Sequence, residues 1–483
     1  MRLLSNNRLS KLLFLPVEKG RMNGVLSSFV NQAKEAGTMT LTSTKGTEPK
    51  IPATSSWSLT GSLHQARQDF TATLLQDGKV LIAGGADHEL GHSIIYKSVE
   101  IYDPQTAQWT PVADMGIGRY GAQAILLTDG TVLLSAGMGD GQNVVVSEIY
   151  DPKTGVWTNT GSLNTQHGAF CAAISLANGR VLLAGGLDES GTSHVKATEI
   201  YDPKSRVWER IGDMNVGRDT FSMTLMEDGK VLVAGGQSDQ GTTNSAEILD
   251  LTTGVWTPVS PMLHARIRCS AFLLPNGHTM VAGGITNLEG TAEFYNPETD
   301  SWKVKSMQTG HAITTATKMK NGKILFIGGA NDVIGPTREV ELYDSVTEEF
   351  QLIEDFHVLY PRNGSVCATL LQTGEMLVAG GDLDPTTDKV MLFKPFFITT
   401  PKKGSITGLR PVFSGLSLFA NTPVAVIDPF TSELIVATVT DAQGQWSVTS
   451  GTELVEGHHI IQAVISGQGT MTVEFEAYRS FGD

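Results

Sequence analysis

Seven side chains able to carry positive charge recur along the chain at a near-fixed distance ahead of a turn glycine. Arg67, Arg119, Arg218, Arg266 and His311 each stand ten residues before the residue that precedes that glycine, and His167 and Arg362 stand one residue further back. Gathered around one axis, such a set has the charge and the planar donors to hold a carboxylate or phosphate by bidentate hydrogen bonds. These seven are the candidate ligand-binding residues of the sequence.

Other chemistry-bearing groups are weaker. Acids cluster shortly after paired glycines: Asp87 and Glu89 with His88 and His92, then Asp140, Asp188, Glu189, Asp239, Asp382, Asp384 and Asp388. None completes a twelve-residue calcium loop, so they read as solvated acidic loops. Gly116–Gly121 reads Gly-Ile-Gly-Arg-Tyr-Gly but precedes a strand, so the helix N-terminus that holds a pyrophosphate is missing. His458 and His459 fall on a strand, where neighbours face opposite ways. No metal or cofactor is expected, and no catalytic set is identified. The three cysteines, Cys171, Cys269 and Cys367, lie 98 residues apart each time. They read as small buried residues of matching strands rather than a disulfide framework.

That equal spacing points to what must position the charged set. A strand-ending glycine recurs at Gly84, Gly137, Gly185, Gly235, Gly283, Gly328 and Gly380, so the period is about 49 residues. A second glycine follows in every repeat but the second, where Met138 stands. Each unit carries an Asp-Gly or Asn-Gly type turn, expected as a two-residue hairpin with both central residues at positive φ. A second turn begins with Asp or Asn, which bonds forward to the backbone. Tyr102 and Trp109, Tyr150 and Trp157, Tyr201 and Trp208, Leu249 and Trp256, Tyr295 and Trp302, and Tyr343 and Phe350 are each seven residues apart. Four antiparallel strands per repeat follow, and one such sheet alone buries too little, so the units must stack.

Paired glycines, a downstream tyrosine and a tryptophan at a fixed step resemble the kelch repeat, which builds β-propeller blades. The expected fold is all-β: a seven-bladed kelch propeller closed by an N-terminal strand around Trp57, which supplies the tryptophan strand that the last repeat lacks. Kelch repeats often carry an arginine at the ring position that bonds loop carbonyls and bridges neighbouring blades. That structural role competes with anion recognition. Expected boundaries are an N-terminal arm and linker over 1–54, with a short amphipathic helix over 22–36; the propeller over 55–400; and an immunoglobulin-like β-sandwich over 401–483. The last resembles bacterial immunoglobulin-like domains through the pattern of its strands.

Propeller followed by such a sandwich resembles galactose oxidase in layout. That family uses copper and a tyrosine–cysteine crosslink. The segment around Cys171 is similar to the family's cysteine strand. The resemblance calls for a tyrosine shortly after Arg218 and a Tyr-His pair after Arg362. The chain has Asp219, Thr220 and Phe221 at the first place and Asn363, Gly364 and Ser365 at the second. The expected function is therefore a non-catalytic binding protein for a protein or glycan partner. A carbohydrate-active enzyme on the same scaffold is the alternative. A formal charge of −15 argues against nucleic acid. No run of 18 apolar residues suits a membrane helix. The run Leu12 to Val17 is six residues with Pro16 inside it, short for a secretory segment. The domain layout favours the cell exterior or surface, while sparse cysteines fit the cytoplasm.

Overall fold

The computed structural model describes residues 57–87, 94–189, 191–286, 290–308, 315–319, 322–327, 330–331, 335–336, 340–352, 363–382, 388–393, 397–400, 405–407, 410–416, 423–428, 434–441, 445–450, 453–454, 457–465 and 469–477. The expected arm, helix and linker over 1–54 lie outside them. Two compact units result, one of them Trp57–Phe393. Among the described residues there is no helix, hence none long and apolar enough to cross a membrane.

Among the described residues of Trp57–Phe393 lie seven four-stranded antiparallel sheets. The first comprises Thr71–Leu74, Val80–Ala83, Val99–Asp103 and Gln108–Val112. Second strands such as Val80–Ala83, Val132–Ser135, Val181–Ala184 and Val231–Ala234 are buried throughout. Such β-branched and aliphatic runs suit a strand covered on both faces. First strands contact one another in chain order: Thr71–Leu74, Gln123–Leu126, Ala172–Ser175, Ser222–Leu225, Ser270–Leu273, Thr315–Lys318 and Asn363–Leu370, with the last also against the first. The sheet of Asn363–Leu370 takes Trp57–Leu59 as its fourth strand, with Trp57 opposite Phe393.

The aromatic spacing has a geometric cause. Tyr102 and Trp109 are direct cross-strand partners, and so are Tyr150 and Trp157, Tyr201 and Trp208, and Tyr295 and Trp302. Their rings lie 5.0–5.2 Å apart and tilted. Two of the repeat tryptophans reach the preceding sheet with the indole N–H. Trp208 Nε1 donates to Ser147 Oγ and Trp256 Nε1 to Thr198 Oγ1, both at 3.0 Å. The second turn behaves as expected: Asp103 Oδ1 accepts from Gln105 N–H at 2.9 Å, and Asp151, Asp202 and Asp250 repeat the bond.

Two local expectations are corrected. Among the residues of the first turn only the glycine takes positive φ: Gly78 has φ 87°, while Asp77 stays outside that region. Leu75 N–H donates to Lys79 O and Gly78 N–H to Leu75 O. The hairpin is thus a longer loop with a left-handed glycine at its end, and Asp77 Oδ1 accepts from Lys79 N–H instead of bending left-handed itself. The second correction concerns the glycine pair of the second repeat. Ala136 (φ 59°) and Gly137 (φ 88°) match Gly84 (φ 67°) and Gly85 (φ 90°). Arg119 Nη1 donates to Ala136 O as Arg67 Nη1 does to Gly84 O. Alanine therefore replaces the first glycine, and Gly137 is the second member, not the first.

The described residues of the other unit form two sheets. One pairs Phe397–Thr400, Val412–Leu416 and Gln445–Thr449; the other has five strands, Ser405–Thr407, Gly469–Ala477, Gly457–Ile465, Pro423–Ile427 and Leu434–Val439. Phe413, Val424, Val426, Trp446, Ile461 and Ala463 form its core. His458 is exposed and His459 half-buried.

Candidate functional site

The five described members of the charged set are buried, with Arg67, His167, Arg218 and Arg266 at 0% exposure and Arg119 at 1%. His311 and Arg362 lie outside the described residues. The Arg218 guanidinium uses every donor. Nε bonds Val216 O, Nη1 bonds Gly235 O and Ser245 O, and Nη2 bonds Ser245 Oγ and Glu247 Oε1. Arg67 pairs with Glu100, Arg119 with Glu148 and Arg266 with Glu293 in the same way. His167 mimics the arrangement, Nδ1 facing Gly185 O at 2.7 Å and Nε2 facing Glu199 Oε1 at 3.3 Å.

The glutamates were not singled out in the sequence, although each stands two residues before the repeat tyrosine or leucine. They also accept backbone N–H groups of the connection that enters the sheet. Glu247 takes Asn215 and Val216, Glu199 takes Asn164 and Thr165, and Glu293 takes Leu263 and His264. Burial pulls the guanidinium pKa of Arg67, Arg119 and Arg218 below its ordinary value, and the paired glutamates oppose that pull. Burial likewise pushes the Glu199 carboxyl up. The hydrogen bonds from His167 and from the backbone and side chain of Asn164 outweigh it and hold the group at about 2.

Just past these residues the backbone forms a different ring. Asp69, Gly121, Phe170, Thr220 and Arg268 all take left-handed φ, 53°, 61°, 64°, 47° and 56°. They are bonded head to tail. Gly121 N–H donates to Asp69 O, Phe170 to Gly121, Thr220 to Phe170 and Arg268 to Thr220, at 2.8–3.0 Å. Among the described residues the second to fifth sheets thereby each hang their first strand on the sheet before. Four of the five are not glycine, so their conformation is strained and only the surrounding bonds hold it.

The side chains on this ring make the candidate site. Tyr120 and Phe170 meet edge to face at 6.5 Å, and the Arg268 guanidinium lies over the Phe170 ring at 5.7 Å. Asp219 is 7% exposed; its Oδ1 accepts from Thr220 Oγ1, and its Oδ2 lies 3.1 Å from His194 Nε2. His194 Nδ1 turns to Asp239 Oδ1 at 2.7 Å. Burial raises the Asp219 pKa against the pull of Thr220, His194 and Arg268, whereas the hydrogen bonds from His194 lower that of exposed Asp239. Sequence reasoning missed Tyr120, Phe170, Asp219 and Arg268. Only Gly121 advertises a left-handed position by its residue type, and His194 meets Asp219 through loops of no fixed spacing.

Of the loop acids, Asp239 is spent on His194, and Asp188 accepts from the backbone of Thr192 and Ser193. Among the described residues no three His, Cys, Asp or Glu side chains converge as metal ligands. Cys171, Cys269 and Cys367 are unpaired thiols. Burial pushes Cys171 and Cys367 up to about 12.

Comparison with known proteins agrees with this architecture. The Kelch motif family model matches residues 70–116, 169–215 and 228–263. Two galactose oxidase sequences from Gibberella zeae are each 31% identical over 145 residues, 29% of this chain and 20% of theirs. The chain thus matches about a fifth of the length of these curated relatives. A solved fungal alcohol oxidase of the AA5 family, in complex with copper, superposes with a TM-score of 0.57 at 14% identity, covering 87% of this chain and 99% of that one. The chain carries kelch motifs in three of its repeats, and its fold is like that of the copper-bound alcohol oxidase.

The residues do not fit that family's copper group. Cys171 is a buried neutral thiol, and the next sheet offers Thr220, whose hydroxyl is committed to Asp219 Oδ1, where a tyrosine is needed. Phe221 beside it has no oxygen to offer.

Proposed function

We propose that this protein is a non-catalytic binding protein that presents one face of a closed, seven-bladed propeller, over 55–400, to a protein or glycan partner. The C-terminal unit, over 401–483, is an immunoglobulin-like sandwich acting as a spacer or second contact. The observation that carries the reading is the occupancy of the family's tyrosine place by Thr220 and Phe221, beside a thiol that burial keeps protonated. The scaffold is there and the copper-holding donors are not. The face in question bears the left-handed ring and the loops after the glycine pairs, which vary in length and suit recognition. In this reading Arg67, Arg119, His167, Arg218 and Arg266 act as internal clasps, because their donors already meet carbonyls and glutamates. His311 and Arg362 occupy the same repeat place.

The competing reading, a carbohydrate-active enzyme, rests on the kinship with galactose oxidase. One experiment separates them. The purified full chain is screened on glycan and protein arrays, and in parallel incubated with Cu(II), galactose and air while oxygen uptake is followed. Selective array binding without oxygen uptake is expected. Sustained turnover of a carbohydrate overturns the binding-protein reading.

A further inference from the structure

Arg268 is unlike the clasp arginines in every respect that matters for recognition. It sits in the left-handed region at φ 56°, where a side chain other than glycine is strained. Its backbone is fixed there by the bond from its N–H to Thr220 O. It is half-buried, not enclosed. Among the described residues its guanidinium makes no hydrogen bond and no ion pair, whereas Arg218 uses every donor it has. The neighbouring carboxylate, Asp219, is already engaged by Thr220 Oγ1 and His194 Nε2. The Arg268 head lies over the face of Phe170 at 5.7 Å and near enough to the Asp219 carboxylate to draw on its charge, and Phe170 is itself pinned at φ 64° and meets Tyr120 edge to face.

We propose that Arg268, Phe170 and Tyr120 form a recognition site for a small carboxylate attached to a six-membered ring. A guanidinium stacked on an aromatic face keeps its in-plane N–H fork for a ligand, and that fork matches a carboxylate bidentately. The cation–π contact fixes the fork's plane before binding, so little rotamer freedom remains to be lost. The aromatic pair beside it offers an apolar wall to the ligand's ring. The strain at Arg268 and Phe170 is then kept for the sake of the site, held by the head-to-tail backbone bonds around it. Both uronic acids and aromatic acids have this chemistry. The inference rests on the binding-protein reading and narrows it to one site and one ligand class.

The test uses the full chain and three probes: galacturonate, benzoate and galactose, titrated by calorimetry against the unaltered protein and against Arg268→Gly, Arg268→Lys and Phe170→Leu. At least one of the two acids is expected to bind ten-fold or more tightly than galactose. Arg268→Gly is expected to abolish that preference while leaving the melting temperature unchanged or raised, since glycine relieves the left-handed strain. Arg268→Lys keeps the charge but not the fork and is expected to lose most of the preference. Phe170→Leu is expected to weaken the preferred acid several-fold. Galacturonate preferred over benzoate identifies a sugar acid, and the reverse an aromatic acid. Absence of any preference for either acid over galactose overturns the proposal, as does a preference that survives in Arg268→Gly. Array binding unaffected by Arg268→Gly leaves the binding-protein reading standing and removes this site from it.

Discussion

Arg218 Nη2 and Glu247 Oε1 lie 2.8 Å apart with both side chains closed to solvent, one on the connection into the first strand of a sheet and the other on its third strand. The pair links three pieces of backbone. Arg218 holds the carbonyl of Gly235 at the end of the second strand, and Glu247 holds the N–H groups of Asn215 and Val216 on the entering connection. The Arg218 carbonyl in turn takes Gly186 N–H from the preceding sheet. The clasp is therefore a joint between repeats as well as within one.

Removing one half of this joint leaves the other buried without its partner. Glu247→Ala is expected to cost about 3–5 kcal/mol, in the range seen when one partner of a buried pair is deleted. The double change Arg218→Met with Glu247→Leu is expected to cost clearly less than the two single changes added. Urea unfolding of the four proteins in a double-mutant cycle measures both. A single-mutant loss below about 1 kcal/mol would show that the clasp is incidental to stability.

The histidine version of the clasp predicts a pH dependence. Glu199 sits at about 2 in the folded protein against an ordinary 4.5. Its folded value is depressed, so the unfolded chain binds the proton more readily. The stabilisation is complete above about 4.5 and is lost as pH falls towards about 2. Denaturant midpoints measured between pH 6 and pH 2.5 should fall over that window. His167→Gln should shrink the Glu199 share of the fall, because the His167 hydrogen bond is foremost among the contacts holding Glu199 down. An unchanged pH profile in that variant would remove His167 from the account.

How much of this was readable beforehand follows from what residue types encode. The repeat, its four strands and the Tyr–Trp step were legible because side-chain period and turn chemistry are written locally. So was the Trp57 strand: Trp57–Leu59 pairs with Val390–Phe393 as the missing tryptophan in the last repeat implied. The charged set was found, but its partners were not, because Glu100 or Glu247 in a strand reads as an exposed alternate position unless the third dimension brings an arginine to it. The left-handed ring was invisible for a related reason. A positive φ announces itself only through glycine, and Asp69, Phe170, Thr220 and Arg268 owe theirs to neighbours in another sheet.

Ala136 shows the same limit and yields the sharpest stability test. At the matching place in the third repeat, Gly185 has φ 70°, and a Cβ there would press on Arg218 O and the Phe221 ring. Ala136 carries a Cβ at φ 59°, beside a connection one residue longer, where His167 stands three residues before Phe170 rather than the two that separate Arg218 from Thr220. The steric objection is thus relaxed at Ala136, while the left-handed backbone cost remains. Gly185→Ala adds both the strain and the overpacking, and is expected to lose about 2–4 kcal/mol. Ala136→Gly relieves about 1–2 kcal/mol of strain against about 0.4–1 kcal/mol of added unfolded-state entropy, for a net gain of up to about 1.6 kcal/mol. Urea midpoints of the two variants should therefore move in opposite directions at equivalent positions of neighbouring repeats. A fall in both would mean that the Ala136 methyl contributes packing that outweighs its backbone strain.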